Sequence, residues 1–177
     1  MTNVLRKTSV LFVCMGNICR SPTAEGVMRH KILQRGLGDT VTIASAGTHA
    51  HHIGSPPDNR SQAHALQRGI DMSAQRARRV AATDFADFDY ILAMDHDNRA
   101  MLEAQCPQQH RRKVELMMRY AYTYSAQAEV PDPYYGGAAG FEAVLDYIED
   151  ACDGLIETIN AGLTTSHSAA PDAKRGK

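Results

Sequence analysis

The sequence predicts an α/β fold: a single domain on a four-stranded parallel sheet, doubly wound, with helices on both faces. Three observations carry this expectation. Four apolar runs of strand length recur along the 177 residues, helix-period patterns fill the intervals between them, and no internal repeat breaks the alternation. The first strand is read at Ser9–Val13. Pro22–Arg35 follows as a helix, with Ala24, Val27, Met28 and Ile32 on one stripe and Gly36 as its stop. Val41–Ala46 is the second strand and Asn59–Arg68 a short helix. Tyr90–Met94 is the third strand, His96–Ala104 a helix, and Val114–Met118 the fourth strand. The last helix is the clearest: Phe141, Val144, Leu145, Ile148, Cys152, Leu155, Ile156 and Ile159 form one apolar stripe, which makes Cys152 a packing residue. Thr164–Lys177 holds no large apolar side chain, so the domain is drawn at 1–163 and a disordered tail at 164–177.

Composition removes several classes of function. The formal net charge is −1, and the basic runs Arg76–Arg79 and Arg111–Lys113 are short, as solvated faces are, so no nucleic-acid partner is expected. The longest apolar runs are too short to span a membrane. The N-terminal charge and apolar run lead into a Gly-Asn turn rather than a small-residue cleavage site, so no signal peptide is read. Four cysteines at uneven spacing do not make a disulfide framework, and the expected compartment is the reducing cytoplasm.

In sheets of this kind, ligands bind in the crevice beyond the carboxyl ends of the strands. Two stretches offer a cysteine six residues ahead of an arginine, VCMGNICRSP (13–22) and CPQQHRR (106–112). The first follows a strand, turns through Gly16-Asn17 and enters a helix at Ser21-Pro22, where proline costs no hydrogen bond. Such a turn can aim several backbone N–H groups inward, and the helix dipole adds positive potential, so a tetrahedral dianion fits and the Cys14 thiolate is favoured. Arg20 offers a planar fork to two phosphate oxygens, and Ser21 can donate its hydroxyl to the thiolate. The second stretch follows a helix, has Pro107 where an N–H is needed and has no glycine, so Cys106 and Arg112 read as ordinary connection residues.

A thiolate that displaces an alkoxide or phenoxide from phosphorus needs an acid for the leaving oxygen. The stretch VPDPYYGG (130–137) supplies Asp132 between two prolines. With VCMGNICRSP, Ser45-Ala-Gly-Thr48, Ile53-Gly-Ser-Pro-Pro-Asp58, Arg76-Ala-Arg78 and Phe88–Asp95 in order, the chain resembles the low-molecular-weight protein tyrosine phosphatases over roughly residues 8–160. The resemblance implies the phosphotyrosine phosphatase I-like fold and a cysteinyl-phosphate mechanism without metal or other cofactor. Cys14 would be the nucleophile, Arg20 and the loop residues Met15, Gly16, Asn17, Ile18 and Cys19 would hold the phosphoryl group, and Asp132 would be acid and then base. Asn17 would fix the loop's strained shape, and Tyr134 and Tyr135 would flank the entrance. Family members can form a reversible disulfide between the Cys14 and Cys19 positions.

Two positions depart from the family pattern. Gln75 stands where a histidine often joins a network with the Asn17 and Ser45 positions, and glutamine can still donate and accept there. In His49-Ala-His-His-Ile53, His51 takes the place of an aromatic pocket wall; the three histidines lack a nearby fourth ligand and do not read as a zinc site. Expected partners are phosphotyrosine proteins, with phosphate or vanadate as competing ligands, and the chain is read as a monomer or weak dimer. Two alternatives remain on the same scaffold. A protein-arginine phosphatase tends to carry threonine at the Ile18 position, and an arsenate reductase would need resolving cysteines, for which only Cys106 and Cys152 are on hand. A non-catalytic phosphopeptide-binding module is disfavoured by Cys14, Arg20 and Asp132 occurring together.

Overall fold

The computed structural model describes residues 6–168, with side chains described for 6–164. The elements run β1 (Thr8–Cys14), α1 (Arg20–Gln34), β2 (Val41–Gly47), α2 (Asn59–Gln67), α3 (Asp84–Asp87), β3 (Tyr90–Ala93), α4 (His96–Gln105), β4 (Val114–Leu116) and α5 (Ala138–Ser168). The four strands form one parallel sheet in the order β2-β1-β3-β4. The doubly wound α/β class read from the sequence is the observed one.

Strand alternation sorts β1 between two cores. Val10, Phe12 and Cys14 point to the face covered by α1 and α5, whose Val27, Met28, Ile148, Cys152 and Ile156 are buried against them. Leu11 and Val13 point to the other face, with Phe85 of α3 and Leu102 of α4. The chain leaves β1 for β2 on one side and returns past it to β3 on the other. The carboxyl end of β1 is therefore the switch point of the sheet, and Cys14 stands there.

Several boundaries differ from the sequence reading, each for a local reason. Helix α1 starts at Arg20 rather than Pro22, because the Thr23 amide already donates to the Cys19 carbonyl at 3.2 Å. Pro22 then lies in the first turn, where its missing N–H has no partner to lose. Strand β4 stops at Leu116, and Met117–Tyr120 forms a 3-10 turn. Met117 and Met118 both pack into the α1/α5 core, which two consecutive strand residues cannot do on one face. Helix α5 continues to Ser168, past the boundary drawn at 163, and residues 169–177 of the expected tail lie outside those described.

Helix α5 closes the fold through a close backbone contact and two ionic clusters, one of which joins Asp153 to Lys31 at 3.0 Å and Arg35 at 2.6 Å. A Cβ on Gly154 would lie 1.9 Å from the Tyr120 carbonyl oxygen, so the helix meets the 3-10 turn where only glycine fits. In the other cluster Arg68, the C-cap of α2, pairs with Glu142, with Asp146 at 3.0 Å and with Glu149 at 3.2 Å. His64 Nδ1 lies 2.5 Å from Glu142 Oε1. Arg68 and then His64 hold the Glu142 carboxyl below its ordinary range.

Two outcomes follow. Gly154→Ala, which intrinsic helix propensity favours by about 1 kcal/mol, should instead lower the urea-unfolding free energy by about 3 kcal/mol, since overpacking against backbone cannot relax. The Glu142 contribution is present above its unfolded-state value, near 4.3, and lost as pH falls through the lower folded value. Glu142→Gln should therefore lower Tm at pH 7, and the gap to wild type should close below about pH 4 in a melting series.

Candidate active site

The segment Cys14–Ser21 is shaped by where its carbonyls go. Cys14 O accepts from Thr48 N at 2.9 Å, Met15 O from His49 N at 3.0 Å, and Ile18 O from Asp58 N at 2.8 Å. In a trans peptide the following N–H points the opposite way. Carbonyls bound outward to the scaffold thus turn the amides of Met15, Gly16 and Cys19 toward the loop's interior, where the N-terminus of α1 adds its partial positive charge. Gly47 allows this approach: a Cβ there would lie 2.7 Å from Met15 O.

Asn17 is the one non-glycine residue among those described with a left-handed backbone, at φ +56°. Its side chain holds it there from three sides. Nδ2 donates to Ser21 Oγ at 2.8 Å and to Ser45 Oγ at 3.0 Å, and Oδ1 accepts from the Arg78 amide at 3.0 Å. Ser45 in turn donates to Glu25 Oε2 at 2.5 Å. A carboxylate only accepts, which orients the chain: Ser45 gives its proton to Glu25, Asn17 gives to both serines, and the Ser21 proton is left for Cys14 Sγ, 3.0 Å away, or for Ala46 O at 3.3 Å.

Arg20 is buried and anchored by one nitrogen. Nη1 donates to Asp95 Oδ2 at 2.6 Å and to Val130 O at 3.1 Å, while Nη2 lies 3.6 Å from Asp132 Oδ2. Burial opposes its charge, but the Cys14 thiolate and the Asp95 and Asp132 carboxylates more than offset this and raise the guanidinium above its ordinary value. Asp95 is itself fixed as the N-cap of α4, accepting from Asn98 N at 2.7 Å. Val130 donates its amide to Met94 O at 2.8 Å, which hangs the Asp132 segment from the end of β3.

These elements enclose a cleft of about 170 Å³ lined by Cys14, Arg20, Asp132, His52, Ile18 and Tyr135, with Met15, Gly16, Cys19 and Tyr134 completing it. Asn17, Ser21 and Ser45 lie behind the cleft as its support. Two expected residues do not take the places read for them. His51 is exposed and stacks on His49 at 5.5 Å, and the next residue, His52, is the one against Gly16 in the wall. The chain turns at 51–54, so alternation from β2 no longer says which side chain faces in. Gln75 bonds neither Asn17 nor Ser45; its Nε2 donates to Pro22 O at 3.0 Å and its Oε1 has no partner, while Glu25 occupies the network instead. Asp95, Glu25 and His52 went unassigned in the sequence. The only prior signal was that Asp95 follows a strand and can cap a helix.

The other cysteines stand apart from this chemistry. Burial pushes the Cys19 thiol up to about 12, Ser61 and the nearby acidic groups being smaller influences. Burial likewise raises Cys106 at the end of α4 and, far more, Cys152 inside α5. The second cysteine–arginine pair makes no cradle: Cys106 caps α4, and Arg112 sits on a 3-10 turn in a surface groove with Arg99 and Arg119.

Comparison with known proteins agrees with this geometry. The family model for low molecular weight phosphotyrosine protein phosphatase matches residues 9–165. A putative low molecular weight protein-tyrosine-phosphatase of Synechocystis is 47% identical over 155 residues, covering 87% of this chain and 98% of that protein. The human low molecular weight phosphotyrosine protein phosphatase is 40% identical, covering 84% of this chain and 94% of the human protein. A crystal structure of a protein tyrosine phosphatase from Entamoeba histolytica superposes with a TM-score of 0.85 at 43% identity, covering 88% of this chain and 99% of that one. With a cradle at the sheet's switch point and a match running from β1 into α5, the chain belongs to the low molecular weight phosphotyrosine protein phosphatase family.

Proposed function

We propose that this chain is a protein-tyrosine phosphatase, hydrolysing phosphotyrosine and other aryl phosphate monoesters through a cysteinyl-phosphate. The observation that carries the reading is the meeting of Cys14, Arg20 and Asp132 in one cleft, with Asp132 Oδ2 3.6 Å from Arg20 Nη2. In the first step the Cys14 thiolate forms the S–P bond while the bond to the aryl oxygen breaks, and Asp132 gives its proton to that oxygen. In the second step Asp132 takes a proton from water, whose oxygen attacks phosphorus as the S–P bond breaks. Inorganic phosphate leaves and the thiolate returns, accepting the Ser21 hydroxyl proton as a hydrogen bond. Arg20 and the inward amides of the loop carry the charge on the equatorial oxygens through both steps.

The apolar Ile18 in the wall, with Tyr134 and Tyr135 at the mouth, suits an aromatic ester and favours phosphotyrosine over phosphoarginine. An arsenate relay is poorly served, because Cys152 is fully buried in the α5 stripe and Cys106 is buried in the core on the sheet's other face. Among the described residues no helix is long and apolar enough to cross a membrane. Four free thiols, one of them the nucleophile, fit a reducing compartment, and we assign the enzyme to the cytoplasm. Phosphate and vanadate would compete for the same cradle.

Cys14→Ser should bind inorganic phosphate yet release no product from p-nitrophenyl phosphate. Asp132→Ala should lower kcat/KM for phenyl phosphate about 100-fold and that for the better leaving group p-nitrophenol far less. Equal losses on the two substrates would remove Asp132 from proton transfer. A higher rate on phosphoarginine peptides than on phosphotyrosine peptides would overturn the substrate assignment.

A further inference from the structure

The segment that carries Asp132 is weakly held. From Pro131 to Gly137 only Pro133 is buried, and two of the described hydrogen bonds are internal, Tyr134 N to Asp132 Oδ1 at 3.1 Å and Gly136 N to Pro133 O at 3.0 Å. At its far end Gly137 O accepts from Gly140 N in the first turn of α5, at 3.0 Å; beyond that and the 3.6 Å pair with Arg20, the described hydrogen bond that ties it to a distant part of the protein comes from Arg60, whose Nη1 donates to Tyr134 O at 3.0 Å. The Arg60 guanidinium also lies over the Tyr134 ring, 5.3 Å from its centroid, and over the Phe141 ring of α5, at 4.8 Å.

The other end of this contact leads back to the cradle. Asp58 caps α2 and grips Arg60 with both oxygens, at 3.0 Å to Nε and 2.9 Å to Nη2. Its own amide donates to Ile18 O, inside the Cys14–Ser21 loop, at 2.8 Å. A continuous path therefore joins Ile18, Asp58, Arg60 and the Tyr134 carbonyl, two residues from Asp132. An exposed ion pair of this kind contributes little to global stability. It can still decide where a loosely held loop rests, and proton transfer to a leaving oxygen depends on placement within hydrogen-bond reach.

We propose that Arg60 is a positioning residue for the acid step: with Asp58 it straps the Asp132 segment to the phosphate-binding loop and sets Asp132 over the leaving oxygen. The proposal rests on the reading of Asp132 as the general acid. Arg60 does not touch the phosphoryl group; it acts through Asp132. It should therefore matter most when the leaving group needs a proton, and nothing more should be lost by removing it once Asp132 is gone.

The test measures kcat/KM on phenyl phosphate and p-nitrophenyl phosphate for wild type, Arg60→Ala, Arg60→Lys, Asp132→Ala and Arg60→Ala/Asp132→Ala, with urea unfolding as the check on folding. The expected result for Arg60→Ala is a loss of about tenfold on phenyl phosphate, a smaller loss on p-nitrophenyl phosphate, partial recovery in Arg60→Lys, and no further loss in the double variant relative to Asp132→Ala. Equal losses on both substrates, no loss, or a full additional loss in the double variant would overturn the proposal. If Asp132→Ala alone shows no leaving-group dependence, the acid reading itself falls, a result distinct from any failure confined to Arg60.

Discussion

The site depends on holding one asparagine in a backbone conformation that asparagine tolerates but does not choose. With φ at +56°, Asn17 reverses the chain between the end of β1 and the start of α1, and the loop closes into a cradle only because of that reversal. Three hydrogen bonds from its side chain, to Ser21, Ser45 and the Arg78 amide, tie it to α1, β2 and the strand-like segment beside Gly47. These bonds are made within the protein itself, and each one favours the loop shape that anion binding requires.

The same economy governs charge. Arg20 is almost wholly buried, where an unpaired guanidinium would be costly, and Asp95 with the Val130 carbonyl compensates it from behind. One edge of the guanidinium is consumed by the scaffold and the other faces the cleft. The Val130 contact also makes Arg20 the meeting point of the two halves of the site, since that carbonyl belongs to the segment leading to Asp132. Glu25 plays a comparable part at the far end of the serine–asparagine chain: as a pure acceptor it orients protons that would otherwise be free to turn.

Much of this was readable without coordinates, for identifiable reasons. The sheet and α5 follow from apolar periodicity, which is a property of neighbours in sequence. The cradle is contiguous, so strand, Gly-Asn turn and helix start could be read together at 13–22, and that context separated it from CPQQHRR. The roles of Asp95, Glu25 and Arg60 were not readable because each is a single polar residue whose meaning comes from a partner 75, 20 or 74 positions away. His51 was preferred to His52 by its place in the family pattern, and the chain turns at 51–54, where place in the sequence does not say which side chain faces in. Gln75 was assigned by the position of a histidine it does not imitate: its longer, flexible side chain reaches the Pro22 carbonyl instead.

The central claim is that side-chain hydrogen bonds, rather than backbone permissiveness, keep the cradle formed. Asn17→Gly separates the two, because glycine accepts the positive φ freely but offers no bonds to Ser21, Ser45 or Arg78. Calorimetric titration of this variant with inorganic phosphate should show binding weakened by about tenfold or more relative to wild type. An unchanged phosphate affinity would contradict the account.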